Sequence, residues 1–317
     1  MKRVLFVTLV ILLAIGTRIE GGRRDIPSGD RRPVVVATIF PAYDFTRAIA
    51  GDKADIHMLL PPGTETHLFE LTPQDILKIR NCDLFVYAGG ESDHWVKSVL
   101  ESLDTSKMKI ITLVDCVEAV AEETVEGMEK EDEGSADGKE KLTYDEHVWT
   151  SPRNAKLIAQ EISGALCEMD AAQAEIYKTN TVSFLMRLDR LDAKFKAVVD
   201  HAARKLIVFG DRFPFLYFVR AYGLDYYAAF PGCAAETEAS PATVKFLIDK
   251  IKAEKIPVVF HIEMSNGKMA RAISEATGAK VMLFHACHNI SHEDFLSGKT
   301  YLDLMNANVE ALKEALD

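Results

Sequence analysis

The sequence lacks the features that mark disulfide-rich and nucleic-acid-binding proteins. Its five cysteines are scattered without pairing spacings, and an odd number argues against a disulfide framework; they are Cys82, Cys116, Cys167, Cys233 and Cys287. The net charge is −11, and no Lys/Arg tract follows the N-terminus. We therefore expect no nucleic-acid partner.

Long hydrophobic runs are also missing, apart from one at the N-terminus. Val4–Ile15 is shorter than the roughly 20 residues of a membrane-spanning helix. The basic pair Lys2-Arg3 precedes it, which is typical of an export signal. No cysteine occurs before Cys82, so a lipobox is not evident. We expect residues 1–24 to be a signal and tether, cleaved or retained as an anchor. The protein would then lie in the periplasm or on the outer face of the cytoplasmic membrane.

From residue 33 onward, short apolar runs alternate with amphipathic segments. Near-continuous apolar strands separated by helices predict parallel sheets covered on both faces. The expected strands are Val34–Phe40, Ile56–Leu60, Leu84–Tyr87 and Met108–Leu113, then Leu206–Phe209, Tyr226–Phe230, Pro257–Phe260 and Val281–Phe284. The pattern indicates an α/β fold with two lobes.

A segment without glycine or proline separates the two halves. Asp170–Ala202 carries apolar residues at alternating spacings of four and three, which predicts one helix about 50 Å long. We interpret it as a linking backbone helix, residues 170–202, between an N-terminal lobe, 25–169, and a C-terminal lobe, 203–317. A ligand cleft is expected between the lobes, at the carboxyl ends of the strands.

Residues 118–141 interrupt the alternating pattern. They are rich in Glu and Asp, include Gly134 and Gly138, and show no apolar period. We predict an acidic, mobile surface loop. The alternative is a loop that collects metal ions weakly and passes them to a site.

Several histidines fall on loops where a cleft would lie. His67 occurs in the stretch Pro61–Pro73 and His147 in Tyr144–Pro152, and each stretch ends at a proline that begins a helix. His261, His285 and His288 follow predicted strands. Neutral imidazole is the commonest zinc ligand, so the pattern predicts a metal held between loops.

These stretches resemble the zinc/manganese-binding solute-binding proteins of bacterial ABC transporters. The resemblance covers nearly everything from Val34 onward, and it is carried by Val34–Pro41, Pro61-Pro62-Gly63 with His67 and Thr72-Pro73, Asp145 with His147, Trp149 and Ser151-Pro152, Tyr222-Gly223-Leu224, and Thr277–Lys280. It implies two lobes, a backbone helix, a metal in the cleft and delivery to a membrane permease driven by a cytoplasmic ATPase. It also implies His67 and His147 as the first two ligands.

The sequence departs from this family at the other two ligand positions. The third position, usually His or Glu, falls on Arg212, whose guanidinium stays protonated and cannot ligate. At the fourth, usually Asp or Glu, the chain offers His285 and His288. We expect one or both of them to complete the site. Asp211, Glu236 and His261 remain alternatives, and Arg212 is expected to pair with Glu236 or Glu238.

An imidazole-rich site favours Zn²⁺, with Mn²⁺ as the alternative. The expected function is an extracytoplasmic receptor, monomeric, that passes a divalent metal to a permease. Two other readings stay open: a surface adhesin on the same fold and an exported zinc hydrolase. The hydrolase is disfavoured because there is no His-Glu-x-x-His motif; His292-Glu293 is not followed by a second histidine. We therefore expect no enzyme.

Overall fold

The computed structural model describes residues 31–66, 69–129, 143–234 and 238–317. The predicted export signal, His67 and Glu236 lie outside the described residues. Within them, the strands are β1 (Val34–Ala37), β2 (Asp55–Met58), β3 (Leu84–Tyr87), β4 (Lys109–Thr112), β5 (Leu206–Phe213), β6 (Asp225–Pro231), β7 (Val258–His261) and β8 (Lys280–Leu283). The α-helices are α1 (Phe40–Ala50), α2 (Pro73–Asn81), α3 (Val96–Glu101), α4 (Pro152–Met169), α5 (Ala174–His201), α6 (Leu216–Tyr222), α7 (Pro241–Glu254), α8 (Lys268–Thr277), α9 (His292–Leu296) and α10 (Tyr301–Leu316).

The strands form two four-stranded sheets with the same plan. The order is β2-β1-β3-β4 in one and β6-β5-β7-β8 in the other, and all neighbouring strands are parallel. In each sheet the direction of winding reverses between two central strands, β1 and β3 or β5 and β7. Loops leaving the carboxyl ends of such strands are where open α/β sheets bind ligands. The predicted α/β fold with two parallel-sheet lobes is confirmed.

Local sequence signals define where several helices begin. Thr72 and Asp75 form a capping box around Pro73, so α2 starts firmly at the end of the loop that contains residue 67. Thr300 and Asp303 cap α10 in the same way. Pro152 opens α4, although the side chain of Ser151 makes no capping hydrogen bond. The loops that contain residues 67 and 147 therefore end at well-defined helix N-termini.

The linking helix is shorter than the sequence predicts. A 3-10 turn at Ala171–Gln173 separates α4 from α5, and the hydroxyl of Tyr177 donates to Asp170 at 3.0 Å across that turn. The 28 residues of α5 make a helix about 42 Å long. Its buried stripe, from Tyr177 to Val199, packs against α1, α4 and α10. It is therefore an internal element of the fold rather than a free-standing rod.

One hydrophobic core runs through both lobes. It contains Val35 of the first sheet, Leu188 of α5, and Phe209 and Phe260 of the second sheet. Polar contacts follow the same route, since the indole nitrogen of Trp149 donates to the carbonyl of Ala286 at 2.8 Å. The lobes are thus joined by shared packing as well as by α5.

The acidic segment predicted as a mobile loop is attached to the C-terminal lobe in its first half. The amide of Glu129 donates to Ala229 at 2.9 Å, and the carboxylate of Glu122 accepts from the amide of Cys233 at 3.1 Å. Glu123 pairs with Arg220 at 2.9 Å. The carboxylates serve here as hydrogen-bond acceptors for lobe two. Residues 130–142 lie outside the described residues.

One further expectation is met by the described residues. All five cysteines are free, as expected for a chain without a disulfide framework. In the ranges that the structure describes, none of the helices combines the length and apolar character that crossing a membrane requires.

Candidate metal centre

A cavity lies between the lobes, where loops from both sheets converge. Its lining includes Glu65 and Thr66 from the loop after β2, His147 from the segment after β4, Arg212 of β5, Glu263 after β7 and His288 after β8. All but Arg212, which stands near the end of β5, follow the carboxyl ends of strands. The parallel topology therefore brings together residues that are far apart in the sequence.

Two of these side chains, His147 and His288, form a cluster suited to a metal ion together with Glu146, which precedes His147. Glu146, His147 and His288 each offer one ligand atom, and the three atoms lie within 4.8 Å of one another. The imidazole rings of His147 and His288 are 5.3 Å apart between centroids, and Nε2 of His288 is 3.9 Å from Oε1 of Glu146. Two nitrogens and one carboxylate oxygen are donors that zinc accepts. The donor chemistry of the described residues thus fits a divalent transition metal.

Asp145 orients His147. Its Oδ1 accepts the backbone amide of His147 at 2.7 Å and lies 3.0 Å from the ring nitrogen Nδ1. A donor at Nδ1 leaves Nε2 as the free lone pair for a metal. Burial opposes the charged imidazolium, but the neighbouring Asp145 carboxylate outweighs it, so the pKa of His147 is raised above its usual value.

Glu146 is held in place by the loop after β3. Its Oε2 accepts the amide of Ser92 at 3.0 Å, and its side chain packs so closely on Gly90 that no Cβ would fit there. Asp93 lies close by; burial and then the charge of Glu146 raise the pKa of Asp93 to about 7. Glu146 is only 1% exposed, so its carboxylate needs a cation or donors to be stable.

The loop that carries His288 wraps around a buried carboxylate. Glu263 accepts the amide of Ala286 at 2.6 Å through one oxygen and the amide of His288 at 2.9 Å through the other. Cys287, between them, has a φ of +61°, a conformation that only tight local bonding sustains in a residue with a side chain. Glu263 therefore sets the position of His288.

Trp149 forms an aromatic wall on the two histidines. Its ring lies 5.5 Å from that of His147 and 5.0 Å from that of His288, both in edge-on arrangements. The tryptophan is fully buried. It keeps water away from that side of the cluster and limits rotation of both imidazoles.

The second histidine of this loop is placed differently. Nδ1 of His285 accepts the amide of Cys287 at 2.9 Å and lies 3.5 Å from Glu263. The side chain of Asn308 accepts the backbone amide of His285 and donates to its carbonyl. His285 is not among the residues that line the cavity. The structure thus brings His288, and not His285, to His147.

The remaining candidates lie outside this cluster. Asp211 is buried in β5, accepts the amide of Arg212 at 2.9 Å, and has its pKa raised by burial. His261 ends β7 with Nδ1 3.0 Å from the carbonyl oxygen of Ile262. Arg212 pairs with Glu65 at 2.8 Å, a partner different from the expected Glu236 or Glu238.

The sequence-based prediction of the metal ligands did not include Glu146, Glu65 or Glu263. The only signal for Glu146 was its place directly before His147. Nothing local indicates Glu263, because its role depends on two amides more than twenty positions downstream.

A comparison with protein families gives one decisive match. The model of the ZnuA family, described as zinc-uptake complex component A, periplasmic, matches residues 35–315. The chain belongs to the ZnuA family.

Curated relatives of this ZnuA-family chain carry related names. It is 29% identical over 286 residues to the zinc-binding lipoprotein AdcA of Streptococcus pneumoniae, which covers 89% of this chain and 56% of that protein. It is 28% identical over 309 residues to the high-affinity zinc uptake system protein ZnuA of Bacillus subtilis, covering 97% and 94% of the two chains. The chain thus spans little more than half the length of AdcA.

Solved structures share the fold. The Zn(II)-bound ZnuA-like domain of Streptococcus pneumoniae AdcA matches with a TM-score of 0.74 at 27% identity, over 90% of this chain and 100% of that one. The laminin-binding protein Lmb of Streptococcus agalactiae, described as bifunctional with adhesin and metal transporting activity, matches with a TM-score of 0.73 at 25% identity, with the same coverage. The two-lobed architecture is therefore that of known ZnuA-family proteins.

Proposed function

We propose that this protein is an extracytoplasmic receptor that captures Zn²⁺ in the cleft between its lobes and delivers it to the permease of an ABC transporter. The observation that carries the proposal is the convergence of Glu146, His147 and His288 within 4.8 Å beside the inter-lobe cavity. Family membership supports the transport role. The proposal includes export, a single copy of the chain as the working unit, and no catalytic turnover.

The proposed ligands are His147, His288 and Glu146, with His67 as the fourth. His67 follows Glu65 and Thr66, which line the same cavity. Four donors from three separate segments would close a tetrahedral zinc site. His285 is left out because its Nδ1 already accepts a backbone amide.

Three imidazoles and one carboxylate favour zinc over manganese, which prefers oxygen donors. Glu146 contributes an oxygen, so a manganese receptor is the nearest alternative. Direct competition between the two ions on metal-stripped protein would decide between them.

The experiment is a zinc titration by calorimetry on the metal-stripped, full-length protein and on single alanine variants. Substituting His67, His147 or His288 is expected to abolish or strongly weaken one tight site per chain. His285→Ala is the matched control from the same loop, and it should retain most of the affinity. Tight binding that survives His288→Ala but not His285→Ala would overturn the ligand assignment, and no tight zinc at all would overturn the function.

Adhesion is the second candidate, and the likeness to Lmb is the observation that favours it. A solid-phase assay of purified protein on laminin, with and without zinc, tests it. Binding to laminin at concentrations far above those needed for zinc would argue against adhesion as the main role.

A further inference from the structure

The loop between β2 and α2 is held by the opposite lobe. The amide of Gly63 donates to the carbonyl of Ile290 at 2.8 Å. The side-chain amide of Asn289 donates to the carbonyls of Pro61 and Thr64 at 2.9 and 2.7 Å. Asn289 is 1% exposed, so these bonds lie inside the molecule. The loop that leads to His67 is thereby attached to the segment that carries His288.

An ion pair adds a charged connection to the same loop. Nη2 of Arg212 donates to Oε1 of Glu65 at 2.8 Å, and Nη1 approaches the carbonyl of Ala234 at 3.4 Å. Arg212 is 5% exposed. The side chain of Glu65 is 24% exposed, so the pair is partly buried. Replacing even fully buried ion pairs by apolar residues often costs no stability, so stability alone is a weak reason for this one.

The position of the pair suggests what it does. Glu65 and Arg212 line the cavity that His147 and His288 also line. His67 follows Glu65 by two residues, and two residues reach at most about 7 Å. Holding Glu65 therefore limits where His67 can be.

We propose that Arg212 and Glu65 are positioning residues of the metal centre. Their ion pair fixes residues 61–66, the segment directly before His67, relative to His147 and His288, and neither of them ligates the metal. The proposal rests on the proposed function, because it takes His67 as a ligand. Arg212 is then the residue through which lobe two determines the geometry of a ligand from lobe one.

The test measures zinc affinity in Arg212→Gln, Glu65→Gln and the double variant. Loss of partners that orient ligands typically weakens metal binding about 10- to 100-fold, and we expect each single variant to fall in that range. The double variant should be no weaker than the singles, because the two residues act as one unit. Arg212→Lys keeps the charge but not the planar fork, so it should recover only part of the loss.

Glu65→Gln alone leaves a buried guanidinium without its counter-charge and could fail to fold. The double variant removes both charges, so it tests the pair without that unpaired charge. Thermal unfolding of the metal-free variants identifies any that fail to fold. The matched control is Arg220→Gln, which breaks the half-exposed pair with Glu123 and should leave zinc affinity unchanged.

A second readout separates positioning from general stability. Binding of Co²⁺ gives visible absorption bands that report the number and geometry of its ligands, and the pair variants should give the same altered spectrum as His67→Ala. In the His67→Ala background, breaking the pair should weaken zinc no further. If His67→Ala alone leaves zinc affinity unchanged, the ligand assignment fails; if it weakens binding while the pair variants do not, only the positioning role is overturned.

Discussion

Replacing Asp145 by Asn is expected to weaken zinc binding through His147. Asp145 touches both the amide and Nδ1 of His147, at 2.7 and 3.0 Å, and the carboxylate polarises that ring toward the metal. Asparagine can still accept the amide but brings no charge. Loss of such an orienting carboxylate typically costs about 10- to 100-fold in affinity, or about 1.4–2.7 kcal/mol.

The effect has a defined dependence on pH. Zinc must displace the proton of His147, so wild-type affinity should fall as the pH drops through the pKa of His147, which lies above its usual value of about 6.5. Removing the Asp145 charge lowers that pKa, so protons compete with zinc for His147 of the variant only at lower pH. The ratio of variant to wild-type Kd should therefore be larger at about pH 8 than at about pH 6.

The assay is competition for zinc against a chromophoric chelator at both pH values. Asp200→Asn is the control, since Asp200 is exposed and pairs with Lys196 on the surface. Equal affinities of Asp145→Asn and wild type at the higher pH would refute the orienting role. A ratio that grows toward acid pH would refute the assignment of the proton to His147.

Three further outcomes are expected. The fold raises the pKa of Asp93 to about 7, from about 3.9 in the unfolded chain, so the folded protein binds this proton more tightly. The free energy of unfolding of the wild type should therefore decline as the pH rises between these values. Urea denaturation of metal-free Asp93→Asn should not show that decline. Gly90→Ala should weaken zinc binding without unfolding the chain, because the new Cβ would displace Glu146. Calorimetry would measure the loss of zinc affinity. Leu188→Ala removes a fully buried side chain from the shared core and should lower the free energy of unfolding by about 2–5 kcal/mol in a single transition, followed by circular dichroism.

The fold was largely accessible from sequence because its signals are local. Apolar runs predict the eight strands within a few residues, and Pro152 predicts the start of α4 where it is observed. The linking helix was placed too early because the pattern continues through Ala171–Gln173, where the chain turns. That turn depends on packing between two helices, which no local pattern encodes.

The site was less accessible because it is assembled from tertiary contacts. His147 stands in a recognisable loop, but only the fold shows that His288 lies beside Glu146 and His147, whereas Nδ1 of His285 accepts the amide of Cys287. The pairing of Arg212 with Glu65 joins residues 147 positions apart. The expected partners, Glu236 and Glu238, lie in the same lobe as Arg212, whereas Glu65 lies in the other.

The core shared by both lobes restricts how the protein can release its cargo. Swinging the lobes apart as rigid halves would expose fully buried side chains such as Phe45 of α1 and Tyr301 of α10, whose ring centroids are 4.9 Å apart. Exposing even about 200 Å² of apolar surface costs about 5 kcal/mol. Metal exit by rearrangement of the loops at the cleft mouth avoids that cost. Under the proposed function, the rate at which the metal is handed to a permease would then follow the motion of those loops rather than of whole domains.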